Sequence, residues 1–271
     1  HFPEEEGVSV ERIWQLVPDT ADRPGLVWAG TQPSALWRST DGGVTFELVR
    51  GLWDHPHRAE WGAGAGGQAI HTILPHPSDD SMLVAMSAGG VYRSPDAGAT
   101  WAPSNTGISA YFMPDPMPEF GQCVHKVARH PERPEQLFVQ NHRGVYRSDD
   151  GGETWRSIAA GLPADFGFPM VTHPHSPGTI FNFPLVSDGE RFPPEGRARV
   201  WRSRDAGDTW EELGKGLPDV YYGAVLRDAM CVDDADPAGV YVGTRDGVVY
   251  ASRDEGDSWG EVARHLPDVL C

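Results

Sequence analysis

An eight-residue pattern, Ser-x-Asp-x-Gly-x-Thr/Ser-Trp/Phe, returns five times along the 271 residues of the chain. It stands at Ser39 to Phe46, Ser94 to Trp101, Ser148 to Trp155, Ser203 to Trp210 and Ser252 to Trp259, with aspartates Asp41, Asp96, Asp150, Asp205 and Asp254. Successive aspartates lie 55, 54, 55 and 49 residues apart. A motif at near-constant period marks a repeat architecture in which each copy is one supersecondary unit. Most ways of dividing a chain of this length are thereby excluded, and residues 1–271 are expected to form a single array.

The chemistry of the pattern accounts for its spacing. A β-rich run such as Val145-Tyr146-Arg147 enters, Asp and Gly turn the chain, and Trp155 leaves on the next strand. Glycine accepts the positive φ of such a turn. The carboxylate can accept hydrogen bonds from turn N–H groups, with the Ser and Thr hydroxyls as further partners. The aromatic residue supplies a large apolar face to wedge against a neighbouring unit. All five aspartates are therefore assigned to turn structure, since five identical catalytic sites in one repeat array would be unusual.

Each period reads as four strands separated by Pro/Gly/Asp clusters. In the second repeat these are Ile70 to Leu74, Met82 to Met86, Val91 to Ser94 and Thr100 to Ala102; in the fifth the first strand is expected over Ala224 to Val232. No helix is expected. Four antiparallel strands in about 50 residues match one blade of a β-propeller. The fold expected is all-β, with blades near 10–50, 68–105, 122–160, 166–213 and 222–268. A ring of six or seven blades, of which these five are a part, is equally compatible with the spacing.

The formal net charge of -17 and pI near 4.9 speak against nucleic acid as a partner, because phosphate binding rests on basic patches. No run of about 18 apolar residues offers a membrane span. Cys123, Cys231 and Cys271 make an odd count without CxxC spacing. A reducing, cytoplasmic compartment fits that usage, while the start at His1 leaves secretion open.

The five motifs resemble the Asp-box, or BNR, repeat. The chain is similar to the BNR-repeat proteins of bacteria described as sialidase-like or glycosyl-hydrolase-like, and boxes of the same form, Tyr92 to Trp101 and Tyr146 to Trp155, occur in sialidases, xyloglucanases, sortilin-type receptors and photosystem II assembly factors. The resemblance implies a propeller whose boxes lie away from the ligand site. For a sialidase it also implies an Arg-Ile-Pro segment, a three-arginine clamp, a Tyr-Glu nucleophile pair and an aspartic acid/base. Arg23-Pro24 and Arg133-Pro134 are not that segment, and Tyr222 and Arg227 do not complete the constellation. Xyloglucanases use two opposed carboxylates in a cleft between two propellers, and one propeller is visible here.

In this strand order the inter-blade loops, and those between second and third strands, lie opposite the boxes. There the chain places Gly51 to Trp61, the glycine-rich run Gly62 to Gly67, Tyr111 to Pro116, and the polar excursion Ser187 to Arg199. Long loops in a compact repeat are commonly functional. His71 and His125 are one blade period apart, each five residues before a His-Pro pair, His76-Pro77 and His130-Pro131. The candidate catalytic residues are Glu60, Asp115, Asp228, His71 and His125; the candidate ligand-binding residues are His55, His57, Arg58, Trp61, Tyr111, Glu119, His142, Arg143 and Arg227. Imidazoles beside carboxylates suit general acid/base chemistry or a divalent metal, and Trp53, Trp61, Tyr111 and Phe120 offer stacking faces. The equally weighted structural reading has these histidines satisfying loop backbone groups. His76, His130 and His173 are read as turn residues, and the glycine run lacks the Lys-Ser/Thr of a phosphate loop.

The leading expectation is a propeller that binds a small polar or carbohydrate-like ligand at the loop-rich mouth, with glycoside hydrolysis as its enzymatic form. The alternatives are a non-catalytic scaffold gripping a protein partner and a metal-dependent hydrolase or lyase with a His-rich site.

Overall fold

The computed structural model describes residues 2–20 and 22–271. Two compact units divide the chain, His1–Val124 and His125–Cys271. The first unit holds a sheet of β1 (Arg12–Pro18), β2 (Val27–Gln32), β3 (Ala35–Ser39) and β4 (Glu47–Leu48), then one of β5 (Ile70–Pro75), β6 (Met82–Met86), β7 (Gly90–Ser94) and β8 (Ala102–Pro103). The second unit holds three: β9 (Val124–Arg129), which starts at the division, with β10 (Leu137–Asn141), β11 (Val145–Ser148) and β12 (Arg156–Ser157); β13 (Phe166–Thr172), β14 (Ile180–Leu185), β15 (Val200–Ser203) and β16 (Glu211–Leu213); and β17 (Met230–Val232), β18 (Val240–Gly243), β19 (Val249–Ser252) and β20 (Gly260–Ala263). In each sheet the strands lie in chain order or its reverse, so every sheet is a four-stranded meander.

Second strands read as continuous apolar runs because both their faces are covered. Every residue of β6, β10 and β14 is buried. In the first unit Trp28, Ile70, Val84 and Trp101 join one core. In the second, Phe181, Val200, Val240 and Trp259 share another. Trp259 belongs to the box of the last sheet and packs among residues of the sheet before it, the wedge expected of the motif aromatic.

The boxes repeat one geometry. Ser39, Ser94, Ser148, Ser203 and Ser252 each donate Oγ–H to the first carboxylate oxygen of the box aspartate, at 2.7, 2.9, 2.7, 2.8 and 2.7 Å. The same Oγ accepts the N–H of Gly43, Gly98, Gly152, Gly207 or Gly256. Thr45, Thr100, Thr154, Thr209 and Ser258 then give the aspartate both backbone N–H and hydroxyl. Donors aimed at the ionised form lower an acid's pKa. The Thr45 hydroxyl and N–H lead in holding Asp41 below the ordinary range, the Thr100 hydroxyl does so for Asp96, and the Ser258 hydroxyl for Asp254. For Asp150 and Asp205 burial pushes the other way, and the threonine donors outweigh it.

The connections between first and second strands are pinned by the His-Pro histidines. Nδ1 of His130 accepts the N–H groups of Glu132 and Arg133, and Nδ1 of His173 accepts those of His175 and Ser176.

Three expectations need correction. Fourth strands begin later than the sequence pattern indicates, at Ala102 instead of Thr100, because Thr100 gives its N–H to Asp96 and cannot join the ladder. The fifth sheet's first strand is Met230–Val232 only. Ala224 and Val225 are buried, but the Ala224 carbonyl accepts from Tyr221 Oη and Arg245 N, so that segment packs without pairing. Helix is present: a four-residue α1 (Arg50–Trp53) and short 3-10 turns, including Pro56–Glu60. Among the described residues no helix is long and apolar enough to cross a membrane.

Candidate functional site

A meander that carries its box between third and fourth strands exposes the second-to-third connection, and the exit from the fourth strand, at the opposite end. In the first unit the chain leaves β4 through α1 and the Pro56–Glu60 turn, whose N-cap is His55; Nδ1 of His55 accepts the His57 N–H at 3.2 Å. That turn delivers His57 and Trp61 to one phenol. Trp61 Nε1–H donates to Tyr92 Oη at 2.9 Å, and His57 Nδ1 lies 3.0 Å from the same oxygen. If the Tyr92 hydroxyl donates to His57 Nδ1, the imidazole carries its proton on Nε2 and keeps a donor there. Phe120 stacks on His57 at 4.0 Å between ring centroids. Burial pushes the Tyr92 phenol well up, with the charges of Glu119 and Glu60 adding to it against the Trp61 hydrogen bond. Burial lowers His55, helped by the neighbouring His57.

In the second unit His125, the second residue of β9, is buried and donates Nδ1–H to the Gly167 carbonyl of β13 at 2.6 Å. Phe168 stacks on it at 4.8 Å. His142, on the β10–β11 connection, meets His125 edge-to-face at 5.3 Å and Phe166 at 5.1 Å. Its Nε2 faces Asp188 Oδ2 at 3.4 Å. Two guanidiniums, those of Arg191 and Arg227, approach Phe168 at 5.6 and 5.5 Å from its centroid, within the range of cation–π attraction. Burial first, then the charge of Arg227, hold His125 well below the usual imidazole range. Burial also lowers His142 against the pull of Asp188. Both imidazoles are therefore neutral near pH 7, amid aromatic faces and arginine charge.

The other sequence candidates sit as follows. His71 is buried in β5, its Nε2 bonded to the Val124 carbonyl at 2.9 Å and its Nδ1 to Thr72 Oγ1 at 3.1 Å. Arg58 lies over the Trp53 ring at 3.8 Å, and Trp53 donates to Glu6 at 2.7 Å. Glu60 is exposed at the end of its 3-10 turn. Asp115 closes an Asx turn on Met117 N at 2.9 Å. Glu119 is exposed; its carbonyl accepts from Asn105 Nδ2. Tyr111 is exposed beside Phe112. Arg143 is exposed, and its carbonyl accepts from Asn141 and Tyr146. Asp228 is engaged by the Lys126 ammonium. In the first unit the structure thus joins His55, His57 and Trp61; in the second it joins His125, His142 and Arg227. His125 and His142 offer ring nitrogens within 4.8 Å of one another, a spacing two imidazole ligands of a divalent ion can span, with Nδ1 of His125 already given to Gly167. Sequence reasoning passed over Tyr92, Phe166 and Arg191. The signal for Arg191 was the length of its loop; Tyr92 carried none, being one more aromatic of a repeat.

The BNR/Asp-box repeat family matches residues 146–157. The chain is 23% identical over 252 residues to a xyloglucanase of Hypocrea jecorina (strain QM6a), covering 82% of this chain and 27% of that protein. It is 24% identical over 241 residues to a xyloglucanase of Paenibacillus sp, covering 78% of this chain and 21% of that one. It therefore spans about a quarter of the length of these curated relatives. Among solved structures, the GH74 enzyme of Niastella koreensis superposes with a TM-score of 0.60 at 18% identity, over 92% of this chain and 38% of that one. YCF48 bound to D1 peptide superposes with a TM-score of 0.55 at 15% identity, over 88% and 64%. Likeness at these identities concerns fold, and it agrees with five boxes of one geometry on five four-stranded meanders: the chain carries BNR/Asp-box repeats on an all-β, propeller-like fold.

Proposed function

We propose that this protein is a glycoside-hydrolase-like propeller that binds a carbohydrate at the loop ends of its sheets. The observation that carries the reading is the second unit's cluster of His125, His142 and Arg191 against Phe166 and Phe168. The Phe166, Phe168 and His125 rings are buried and support an edge where His142 and the Arg191 guanidinium stand, and a guanidinium donor held at an apolar edge supplies the placed hydrogen bonds that fix a sugar's hydroxyls. The His57 imidazole stacked on Phe120 repeats the pairing of imidazole and aromatic ring in the first unit.

Binding is favoured over cleavage. Glycoside hydrolysis needs two carboxylates placed across the scissile bond, whereas Asp228 is occupied by Lys126 and Asp115 by its own turn. Affinity electrophoresis in gels containing xyloglucan, the polymer named by the curated relatives, or mixed-linkage β-glucan tests the reading. Retardation of the wild type is expected, with binding about tenfold weaker, near 1.4 kcal/mol, for Arg191→Ala and for His57→Ala. A wild type that runs unretarded with every neutral and acidic polysaccharide tried removes the proposal.

One observation favours a protein partner instead. Tyr111, Phe112, Met113 and Met117, each at least 37% exposed, stand on one loop, and exposed apolar residues so grouped mark interaction surfaces. A stoichiometric partner that is lost on Phe112→Ser would carry that second reading.

A further inference from the structure

The excursion between β14 and β15 makes contacts in two places. Its first half brings Arg191 to Phe168; its second half, Pro193 to Arg199, closes a separate cavity of about 60 Å³ over Trp201 and Glu212. Proline rings, among them Pro193 and Pro194, form the rigid part of the wall.

Trp201 occupies the third-strand position taken by Trp37, Tyr92 and Tyr146 in the first three sheets. Those three are buried, and each has its polar atom satisfied: Trp37 Nε1–H by Thr31 Oγ1, Tyr92 Oη by Trp61 and His57, Tyr146 Oη–H by the Arg143 carbonyl. Trp201 is partly exposed, and its indole N–H meets no acceptor among the described residues. Directly opposite it across the β15–β16 ladder is Glu212, so the two side chains stand side by side on one face. One Glu212 oxygen takes Arg199 Nε at 2.9 Å. A ring face, a free N–H donor and a carboxylate with acceptor capacity to spare therefore share one small hollow.

The charges on the wall select the occupant. Arg199 is shared by Glu212 and Asp219, at 2.9 and 2.5 Å, and Arg197 by Glu195 and Asp219, each at 3.5 Å. An ionic ligand would meet both signs at once and gain little, and a purely apolar one would strip water from four charged groups without replacing it. A neutral ligand rich in hydroxyls satisfies the donor and the acceptor together. The volume holds on the order of four water molecules, room for one edge of a single sugar ring and not for a chain passing through. The rim also carries a strained residue, Glu195, at φ 60 and ψ 8. Non-glycine residues in that region are uncommon and cluster at ligand sites.

We propose that this hollow is a carbohydrate subsite that takes the terminal, uncharged pyranose of a glycan, one ring edge against Trp201, a hydroxyl donating to Glu212 and an oxygen accepting the Trp201 N–H. The proposal deepens the carbohydrate reading above and rests on it for the rest of the glycan, but the hollow can be tested alone. Saturation-transfer NMR on the full chain, with methyl β-glucoside, methyl β-galactoside, methyl α-xyloside and methyl glucuronide as probes, is the experiment. Transfer to at least one neutral glycoside is expected, loss of it in Trp201→Ala, and about tenfold weaker binding in Glu212→Gln, which keeps the shape of the surface and carries the test should Trp201→Ala fold poorly. No transfer to any neutral probe, equal transfer in the variants, or stronger binding of the glucuronide overturns the proposal. Polymer retardation without this signal leaves the carbohydrate reading standing and removes the subsite; the signal without polymer retardation does the reverse.

Discussion

At one end of every sheet a serine, an aspartate and a Thr or Ser make the same hydrogen bonds, the Ser–Asp contact varying only from 2.7 to 2.9 Å over five copies. At the other end no two connections agree. One carries a short helix and a His-capped 3-10 turn, another a single histidine on a tight connection, a third an excursion that closes a small cavity. The contrast separates two uses of polar side chains. Where a polar group recurs in every copy its partners are its own turn; among those that occur once, His57 and His142 meet side chains from distant parts of the chain.

His71 and His125, which the repeat period brought forward as functional candidates, fall between the two uses. Each gives a ring nitrogen to a backbone carbonyl far along the chain, Val124 for one and Gly167 for the other. The shared period reflects a shared bond. His125 differs by what surrounds it, the unrepeated His142 and Arg191.

The comparison breaks most readily at Ser203. Its Oγ is buried and accepts the Gly207 N–H at 2.8 Å while donating to Asp205. Ser203→Ala leaves a buried N–H without a partner, which costs about 1–3 kcal/mol, and thermal unfolding should show a Tm lower by several degrees with carbohydrate binding intact. A variant that keeps its Tm, or loses binding at the same time, would mean that the two ends are not separate.

Acid sharpens the same comparison. His125 is neutral in the fold, with a folded-state pKa well below 6.5; in the unfolded chain it titrates near its ordinary value of about 6.5. Between the two values the unfolded state binds more protons, so stability is full above pH 6.5 and falls as pH drops toward the folded value. The box aspartates are shifted the other way, below 3.8, and their contribution is complete above that pH and lost only as pH falls through the lowered value. His142 and His55, also lowered by burial, act in the same direction, so stability measured against pH should decline in two stretches, the first with a slope of up to about 1.4 kcal/mol per pH unit for each such proton. His125→Gln should make the first stretch shallower by one proton and leave the second. An unchanged first stretch would place that titration elsewhere.

How much of this was legible in the sequence follows from the reach of each interaction. The boxes could be read completely because their polar partners lie within four residues. Four strands per repeat could be read from alternating runs and turn residues, but Ala224 and Val225 misled because burial without pairing has the same apolar signature as a strand. The Trp61–Tyr92–His57 group joins residues 31 and 35 positions apart. Nothing local marks it, and Tyr92 looks like Tyr146 until the helix and turn after β4 are in place. Trp201 was hidden for the same reason: its exposure depends on how the loop over it folds.

The smallest effect concerns the residue after the box aspartate. Gly42 and Gly151 stand there with φ of 77 and 71, while Ala97 holds φ 53 in the second copy. A left-handed conformation costs an L-residue roughly 1–2 kcal/mol, and the greater freedom of glycine in the unfolded chain offsets about 0.5–1 kcal/mol of what a glycine would recover. Ala97 is partly exposed, so removing its methyl loses little packing. Ala97→Gly should therefore raise stability by about 0.5–1 kcal/mol and Gly151→Ala should lower it by a similar amount, read as opposite shifts in denaturant midpoint at unchanged m. The two substitutions act on equivalent positions of one turn, so shifts of the same sign would show that the boxes share a hydrogen-bond pattern without sharing backbone strain.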